Sequence, residues 1–300
     1  MRLHLPLRSL HVLIRAQVRS RHVLQAAIES LEERALLSTA EWLPVTAGGD
    51  GYPDAARTAS QMIEGVSQRV TWDPAPTLSP EVSQTAGIIA SAMTHPLSSI
   101  PPLHSDPGAK ATLFLDFDGH YEASWGVWNG INTPVFDTDG DPSTFSDREL
   151  AIIEEAWTRT AEDFAPFDVD VTTVEPAVLA EGAPAAPANG VALRVAIGGT
   201  SDWTGASWGG YSYINSFTSS IPNVSYVFAA NVDMAYWIGD AISHEAGHAF
   251  GLEHQSTYDA DGTKHEYSDG NATWAPIMGA TSVPKTTTWY NGPSTLGPTS

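Results

Sequence analysis

The sequence predicts an α/β (α+β) fold with a single twisted sheet. Its 300 residues are 42% hydrophobic, which is enough for an ordinary globular core. From residue 111 to residue 254 the predicted elements follow the order strand, helix, strand, strand, strand, helix, and such an order is typical of α/β proteins. We therefore expect the ordered domain to occupy residues 110–300.

The four predicted strands are apolar or alternating runs bounded by turn residues. Residues 111–119 form an apolar run closed by a turn, which predicts a buried strand. Residues 168–174 and 190–198 alternate apolar with polar side chains. A last apolar stretch, at residues 224–230, leads directly into the second helix.

The first predicted helix covers residues 145–164. Ser146 is a suitable N-cap, and Glu149 three residues later completes a capping box. Apolar residues then recur on one face at helical spacing: Leu150, Ile153, Trp157 and Ala161.

The chain is strongly acidic and contains no cysteine. Its 35 acidic side chains and 14 lysines and arginines give a formal net charge of -21. This charge repels nucleic acid and anionic membrane, so neither is an expected partner. The absence of cysteine excludes disulfides, thiolate metal ligands, a cysteine nucleophile and inhibition of a zinc site by a propeptide cysteine. A metal must therefore be bound through nitrogen or oxygen.

The first forty residues differ from the rest in charge. Basic side chains outnumber acidic ones there, and no apolar run is long enough for a transmembrane helix. Residues 31–37, LEERALL, resemble the L-E-x-R-x-L-L motif found near the N-termini of many exported planctomycete proteins. The resemblance predicts an export or sorting segment at residues 1–40 and a secreted or cell-surface bacterial protein. The alternative is a plain amphipathic helix, because the apolar residues recur near helical spacing.

Residues 41–109 are rich in Pro, Ser, Thr, Ala and Gly. A segment of this composition can bury little apolar surface, so we expect a low-complexity linker or propeptide. Two short helical stretches, at residues 55–66 and 81–93, are expected to interrupt it. The sequence predicts no site residue in this segment.

One short segment carries the pattern H-E-x-x-H-x-x-G-x-x-H. Its fixed positions are His244, Glu245, His248, Gly251 and His254. Residues four apart lie on the same face of a helix, so His244 and His248 can bind one ion. Gly251 can adopt a left-handed backbone that ends the helix and brings His254 back as a third ligand. Three nitrogen ligands leave one position open for water, which is typical of a catalytic zinc.

Glu245 is the candidate catalytic base. It lies close enough to contact a zinc-bound water without binding the metal, so we expect it to take a proton as the water attacks a peptide carbonyl. It would then pass the proton to the leaving amine. The alternative is a set of unrelated histidines on a surface helix. Gly251 and His254 disfavour it, because three exposed imidazoles at this spacing have no packing purpose.

Met278 adds a feature outside the motif. Taken alone, this methionine would be interpreted as an ordinary residue of the hydrophobic core. The extended zinc motif followed by a methionine in a turn resembles the metzincin endopeptidases, a group that includes astacins, serralysins, matrixins and reprolysins. Residues 113–120 and 161–171 also resemble segments of reprolysin-like bacterial secreted metzincins. The resemblance covers residues 110–279.

The resemblance implies a secreted, zinc-dependent endopeptidase with one catalytic Zn²⁺ and a protein or peptide substrate. It implies a metzincin-like catalytic domain at residues 110–300, with a mostly parallel sheet, two long helices above a cleft and a small irregular lower subdomain. The substrate would pair along an edge strand, which we expect within residues 208–214 or 224–230. Met278 would form a hydrophobic Met-turn beneath the histidines.

The chain departs from the metzincin pattern in three respects. Gln255, after the third histidine, matches none of the large families, and Ala280 stands where astacins and serralysins have a tyrosine. No closing C-terminal helix is recognised after His254. These departures leave a second hypothesis, a catalytically weak metzincin-like binding module at the cell surface. Glu245 argues against it, because a binding module needs no base.

A weaker pattern concerns Ca²⁺. Asp137, Asp139 and Asp141 alternate as in a calcium loop, but Pro142 and Arg148 stand where the loop needs a glycine and a bidentate acid. A solvated turn is the better interpretation. The acidic surface is compatible with Ca²⁺ without locating a site.

Overall fold

The structure, a computed structural model, describes residues 57–63, 66–73, 93–180, 190–205, 207–219, 221–230, 234–280 and 285–298. All of them lie in Pro44–Ser300, the second of two units into which the chain divides. The predicted export segment lies outside the described residues. Within those residues, no helix has the length and apolar character needed to cross a membrane.

The described residues form fifteen strands and two α-helices, together with three short 3-10 helices. The strands are β1 (Arg57–Ile63), β2 (Val66–Asp73), β3 (Thr94–Pro96), β4 (Ala111–Asp116), β5 (His120–Trp125), β6 (Trp128–Thr133), β7 (Thr144–Ser146), β8 (Val169–Thr172), β9 (Ala192–Ile197), β10 (Gly210–Tyr213), β11 (Val224–Val227), β12 (Thr257–Tyr258), β13 (Lys264–His265), β14 (Trp274–Pro276) and β15 (Thr286–Thr288). The helices are α1 (Asp147–Phe164) and α2 (Ala235–Ala249).

A seven-stranded sheet forms the centre of the fold, in the order β1-β2-β10-β11-β9-β4-β8. The pairs β11–β9, β9–β4 and β4–β8 are parallel, whereas β1–β2, β2–β10 and β10–β11 are antiparallel. The predicted α/β class is confirmed, and the four predicted strands are present as β4, β8, β9 and β11. The sheet is mixed rather than mostly parallel, because the β1–β2 hairpin adds antiparallel pairs.

Strand β9 lies in the middle of the sheet, and all six of its residues are buried although its sequence alternates. The polar member, Arg194, is held inside by ion pairs with Asp116 and Glu175. Its guanidinium also donates to the Leu179 carbonyl (2.9 Å). An arginine can be buried here because its charge and its donors are satisfied.

Helix α1 begins as predicted. The Glu149 N–H donates to the Ser146 hydroxyl (3.3 Å), and the Ser146 N–H donates to the Glu149 carboxylate (2.8 Å), which completes the capping box. Its buried apolar face consists of Ile152, Ile153, Ala156 and Phe164, and thus shares only Ile153 with the predicted face. Trp157 lies at the border of this face, where its indole donates to the Val171 carbonyl (2.9 Å).

The two faces of the sheet are covered by different elements. On β10, Tyr211 and Tyr213 pack against Trp125 of the β5–β6 hairpin, with ring centroids 5.1 and 4.5 Å apart. The intervening Ser212 hydroxyl donates to the Glu245 carbonyl of α2 (3.0 Å). Since successive side chains of a strand point to opposite faces, α2 and the hairpin lie on opposite sides. Helix α1 packs against α2 and β8.

Residues 57–73 correct one expectation. The helix predicted for residues 55–66 is wrong where the structure describes it, because residues 57–63 form β1 and pair with β2, which pairs in turn with β10. Strand pairing thus overrides the local helical pattern. The helix predicted for residues 81–93 lies outside the described residues, apart from Met93. The assignment of residues 41–109 to a linker or propeptide stays a prediction.

Candidate metal centre

Helix α2 carries two of the histidines and ends where the motif predicts. Gly251 has a φ of +104°, and its N–H donates to the His248 carbonyl (2.8 Å). The Leu252 N–H donates to the Gly247 carbonyl (2.9 Å). These two bonds form a Schellman C-cap, which turns the chain. Only a glycine adopts this left-handed backbone without strain.

The turn brings His254 against His244 and His248. The Nε2 atoms of His248 and His244 lie 3.0 Å apart. The ring centroid of His254 lies 4.7 Å from that of His248 and 5.4 Å from that of His244. Zn–N bonds of about 2.0–2.1 Å in a tetrahedral site place two nitrogens about 3.3 Å apart. The imidazoles therefore converge as zinc ligands must, and all three are buried.

An oxygen atom holds the Nδ1 atom of each imidazole. These oxygens are the Ile277 carbonyl for His244 (2.7 Å), the Leu252 carbonyl for His248 (2.8 Å) and Glu266 Oε1 for His254 (2.8 Å). Such an acceptor fixes the neutral tautomer with its proton on Nδ1 and leaves the Nε2 lone pair free for a metal. The three residues therefore fit a zinc ion in their chemistry as well as in their position.

Glu245 is almost completely buried beside the imidazoles. Gly210 of β10 makes room for it, because a Cβ atom at position 210 would overlap the Glu245 carboxylate. Its Oε2 atom has no hydrogen-bond partner among the described residues. Burial, and then the carboxylate of Asp73, raise the pKa of Glu245 well above its usual range. Glu245 is therefore positioned to accept and hold a proton.

Asp73, the last residue of β2, lies in the same cluster. Its Oδ1 is 2.9 Å from Nε2 of His254 and 3.4 Å from Nε2 of His244, and its Oδ2 is 3.7 Å from Nε2 of His248. One atom from each of these four residues lies within 4.8 Å of the others, as ligands of one metal ion would. This aspartate corrects the expectation that residues 41–109 hold no site residue.

The cluster favours a bound cation. Burial lowers the pKa of His254, but Asp73 and Glu266 on its two sides raise it to about 9. Burial and the two neighbouring imidazoles lower the pKa of His248 well below its usual range. Burial raises the pKa of Asp73, yet His244 and His254 bring it well below its usual range. When several carboxylates and imidazoles are buried this close together, a shared proton or a bound metal ion stabilises them.

Two more residues of the site, Glu266 and Tyr267, follow β13. The Tyr267 hydroxyl donates to Asp73 Oδ1 (2.6 Å), and its ring centroid lies 4.5 Å from that of His254. The sequence predicts neither residue. The turn signal Asp-Ala-Asp-Gly at residues 259–262 could have shown them, because it closes the β12–β13 hairpin that returns the chain to His254.

Met278 is buried beneath α2. A Cβ atom on Gly247 would meet its sulfur, so the methionine packs against the helix between the first two histidines. The Met278 carbonyl accepts the Gln255 N–H (2.7 Å), next to the third histidine. Met278 lies inside a tight turn, in which the Gly279 N–H donates to the Pro276 carbonyl (2.9 Å). This turn therefore contacts the segments that carry all three imidazoles.

In the structure, Glu149 lies beside the candidate calcium loop, although the sequence pattern did not include it. Asp137, Asp139 and Glu149 offer oxygens within 4.8 Å of one another. Glu149 already accepts the Thr138 N–H (2.7 Å) and the Ser146 N–H (2.8 Å). Its carboxylate therefore serves the helix cap, and Ca²⁺ binding stays a prediction.

Comparison with known proteins agrees with this chemistry. Residues 185–290 match the family model Reprolysin_5, which describes metallo-peptidase family M12. This part of the chain is similar to M12 metallopeptidases. The match includes α2, the three histidines, Glu245 and Met278, and it supports a zinc-dependent, metzincin-like peptidase. No curated protein and no solved structure gives a significant match.

Proposed function

We propose that this chain is an exported bacterial endopeptidase that uses one Zn²⁺ ion to hydrolyse peptide bonds in proteins or peptides. The observation that carries the proposal is the convergence of three Nε2 atoms, each on an imidazole whose Nδ1 atom is held by an oxygen. The M12 match over the same residues supports it. The extracellular location rests on the export-like motif at residues 31–37.

His244, His248 and His254 would hold the ion, and Glu245 would serve as the base. Zinc at such a site polarises a carbonyl group and lowers the pKa of water. Glu245 takes the proton from the attacking water and delivers it to the leaving amine. Met278 supports the imidazoles from below, as a Met-turn.

The substrate would extend along β10. Of the two stretches expected to form the substrate edge, β11 lies between β10 and β9. Strand β10 also pairs on both sides, with β11 and with β2, so a peptide would take this edge in place of β2. A peptide lying there passes Gly210, whose backbone contacts the Glu245 carboxylate, and so its scissile bond comes within reach of the base.

Replacement of the base tests the proposal. Casein hydrolysis should be abolished by a chelator and restored by Zn²⁺. Glu245→Gln should retain one zinc per chain while hydrolysis falls at least 100-fold, a size typical of losing a general base. Glu162→Gln, at an exposed position of α1, is the matched control. All assays use both the wild-type and the Asp73→Ala chain, because Asp73 contacts the imidazoles.

Two results would contradict the proposal. One is normal hydrolysis by Glu245→Gln in either background. The other is zinc binding without cleavage of any member of a diverse peptide library, which would indicate a binding module.

A further inference from the structure

A small cavity of about 60 Å³ lies beside the metal centre, between α2 and the segment that contains Met278. His244 and Glu245 line one part of it, and Asp240, one helical turn before His244, lines another. We propose that this cavity takes a lysine or arginine side chain of the substrate, which Asp240 selects through its carboxylate. Selection at this site rests on the proposed function for the reaction, and it adds the class of substrate residue that the site prefers.

The carboxylate of Asp240 has an unused acceptor. Its Oδ1 atom accepts the Thr287 hydroxyl (3.1 Å), but its Oδ2 atom is buried and has no hydrogen-bond partner among the described residues. Arg159 of α1 acts on it only at longer range, since the ion pair of Arg159 is with Glu155 (3.3 Å). Leaving a buried carboxylate oxygen unpaired is costly, and an ammonium or guanidinium group in the cavity would satisfy it.

A second buried carboxylate adds negative charge next to this one. Asp240 and Thr287 also line a larger neighbouring cavity of about 510 Å³, whose wall includes Asp163 of α1. Burial, and to a lesser extent the negative charge of Asp240, raise the pKa of Asp163 to about 7. The two carboxylates therefore repel each other, and a cation bound by Asp240 relieves this repulsion.

The rest of the cavity suits the aliphatic stem of a basic side chain. Its apolar wall includes Trp237 and Ala241 of α2 and, on the facing segment, Pro276 and Ile277. Lysine and arginine bury their methylene stems against apolar surface while the charged head reaches a polar partner. A single water needs about 10–15 Å³ of cavity space, so this cavity has room for the few heavy atoms of a lysine side chain.

The direction of β10 indicates which substrate residue enters the cavity. Strand β2 runs antiparallel to it, from Val70 opposite Tyr213 to Asp73 opposite Gly210. A peptide in the place of β2 passes Tyr213 first and comes last to Gly210 and Gly209, both of which line the cavity. We therefore expect the basic residue on the carboxyl side of the scissile bond.

The overall charge of the protein acts in the same direction but less specifically. A formal net charge of -21 attracts basic peptides and repels acidic ones at long range. Such attraction does not depend on where in the peptide the basic residue stands, whereas contact with Asp240 does. A preference confined to one position of the peptide therefore distinguishes the cavity from the general charge.

Two peptide hydroxamates test the selection without an activity assay. They differ only in the residue that follows the hydroxamate, lysine or norleucine, and both change the absorption spectrum of the Co²⁺-substituted protein when the hydroxamate binds the metal. The assay is run at pH 8, because burial raises the pKa of Asp240 only to about 6 and the carboxylate is then ionised. We expect wild type and Asp73→Ala to bind the lysine compound at least about tenfold more tightly, the size of a charge-assisted bond to a buried group. With the lysine two residues further along, the difference should be less than about fivefold, as for an exposed ion pair.

Replacement of Asp240 assigns the preference to this residue. Asp240→Asn keeps an acceptor for the Thr287 hydroxyl but removes the charge, so the lysine compound should lose its advantage over the norleucine compound. Asp163→Asn is the matched control, because Asp163 is also held by one hydroxyl, that of Ser243 (2.7 Å), and lines the neighbouring cavity but not this one. This variant should retain the preference.

The outcomes separate selection by Asp240 from the proposed function. Equal affinity for the two compounds in wild type and Asp73→Ala would overturn the selection, and this comparison needs no Asp240 variant to fold. A preference that survives Asp240→Asn would overturn the role of Asp240. A lysine preference without hydrolysis of any library peptide would support the cavity and contradict the peptidase, whereas hydrolysis without the preference would do the reverse. Failure of both compounds to bind would contradict the metal centre on which both proposals rest.

Discussion

Oε1 of Glu266 lies 2.8 Å from Nδ1 of His254, and both side chains are buried. The other carboxylate oxygen accepts from Lys264 Nζ (2.6 Å). Burial raises the pKa of Glu266, but hydrogen bonds from His254 and Lys264 bring it below its usual range. The carboxylate is thus a fixed, ionised acceptor that sets the tautomer of the third imidazole and makes it a stronger ligand.

Glu266→Gln should therefore weaken zinc binding. The amide can still accept from Nδ1 but lacks the negative charge, so we expect a 10–100-fold loss of zinc affinity, the usual cost of losing such a partner. Competition with a chromophoric chelator at pH 7 measures it. Asp261→Asn, exposed in the turn between β12 and β13, should change affinity less than twofold. Equal affinities in all three proteins would refute a supporting role for Glu266.

The sequence predicts the helical part of the site because that part is local. Spacing along one helix places His244 and His248, and the backbone freedom of Gly251 brings back His254. The capping box of α1 is local in the same way. Each of these features depends on residues a few positions apart, and the structure contains them where the pattern places them.

Asp73, Glu266 and Tyr267 reach the site through contacts between distant segments, and no local pattern shows such contacts. Trp72-Asp73-Pro74 is typical of a linker, and β2 becomes a strand only by pairing with β1 and β10. The same pairing makes the sheet mixed. A site residue on a strand that forms in this way is invisible to periodicity.

Gly210→Ala should reduce hydrolysis while sparing the metal. Its Cβ would overlap the Glu245 carboxylate, so β10 or the base must shift. Displacing a catalytic group by about 1 Å can cost about 10²-fold in rate, and we expect at least a tenfold loss in the Asp73→Ala background. Zinc affinity should change less than twofold, because other contacts hold the imidazoles. Gly108→Ala is the control, since its Cβ would meet nothing closer than 3.7 Å. Wild-type rates from Gly210→Ala would contradict the close packing.

Asp163→Asn should change how stability depends on pH. Burial raises the pKa of Asp163 to about 7, against the Ser243 hydroxyl that donates to it (2.7 Å). This folded-state pKa lies above the unfolded value of 3.8, so the folded state binds more protons between pH 4 and 7. The free energy of unfolding therefore falls across this window as pH rises, and the loss is complete above pH 7.

The asparagine keeps an acceptor for Ser243 but does not ionise. We expect the free energy of unfolding of Asp163→Asn, relative to wild type, to be higher at pH 8 than at pH 5. Urea unfolding at saturating Zn²⁺ measures it at both values. Parallel pH profiles for the two proteins would show that Asp163 does not carry this dependence.

Arg69→Glu should weaken the attachment of β2 to the segment that carries the third histidine. Arg69 and Glu253 form the ion pair that fixes β2 beside the third histidine, and the substitution replaces attraction by repulsion. The free energy of unfolding should fall by about 1 kcal/mol, the size typical of a partly exposed ion pair, and urea unfolding measures it. Lys110→Glu, which disrupts the distant pair with Asp168, is the charge-matched control.

The double variant Arg69→Glu/Glu253→Arg separates the ion pair from a general loss of packing. Reversing both charges restores the attraction, so the free energy of unfolding should return toward the wild-type value. Glu253 also accepts from the Thr295 hydroxyl (3.1 Å), so Glu253→Arg alone provides the remaining corner of the cycle. Additive effects of the two substitutions, with no recovery in the double variant, would show that Arg69 acts through something other than Glu253.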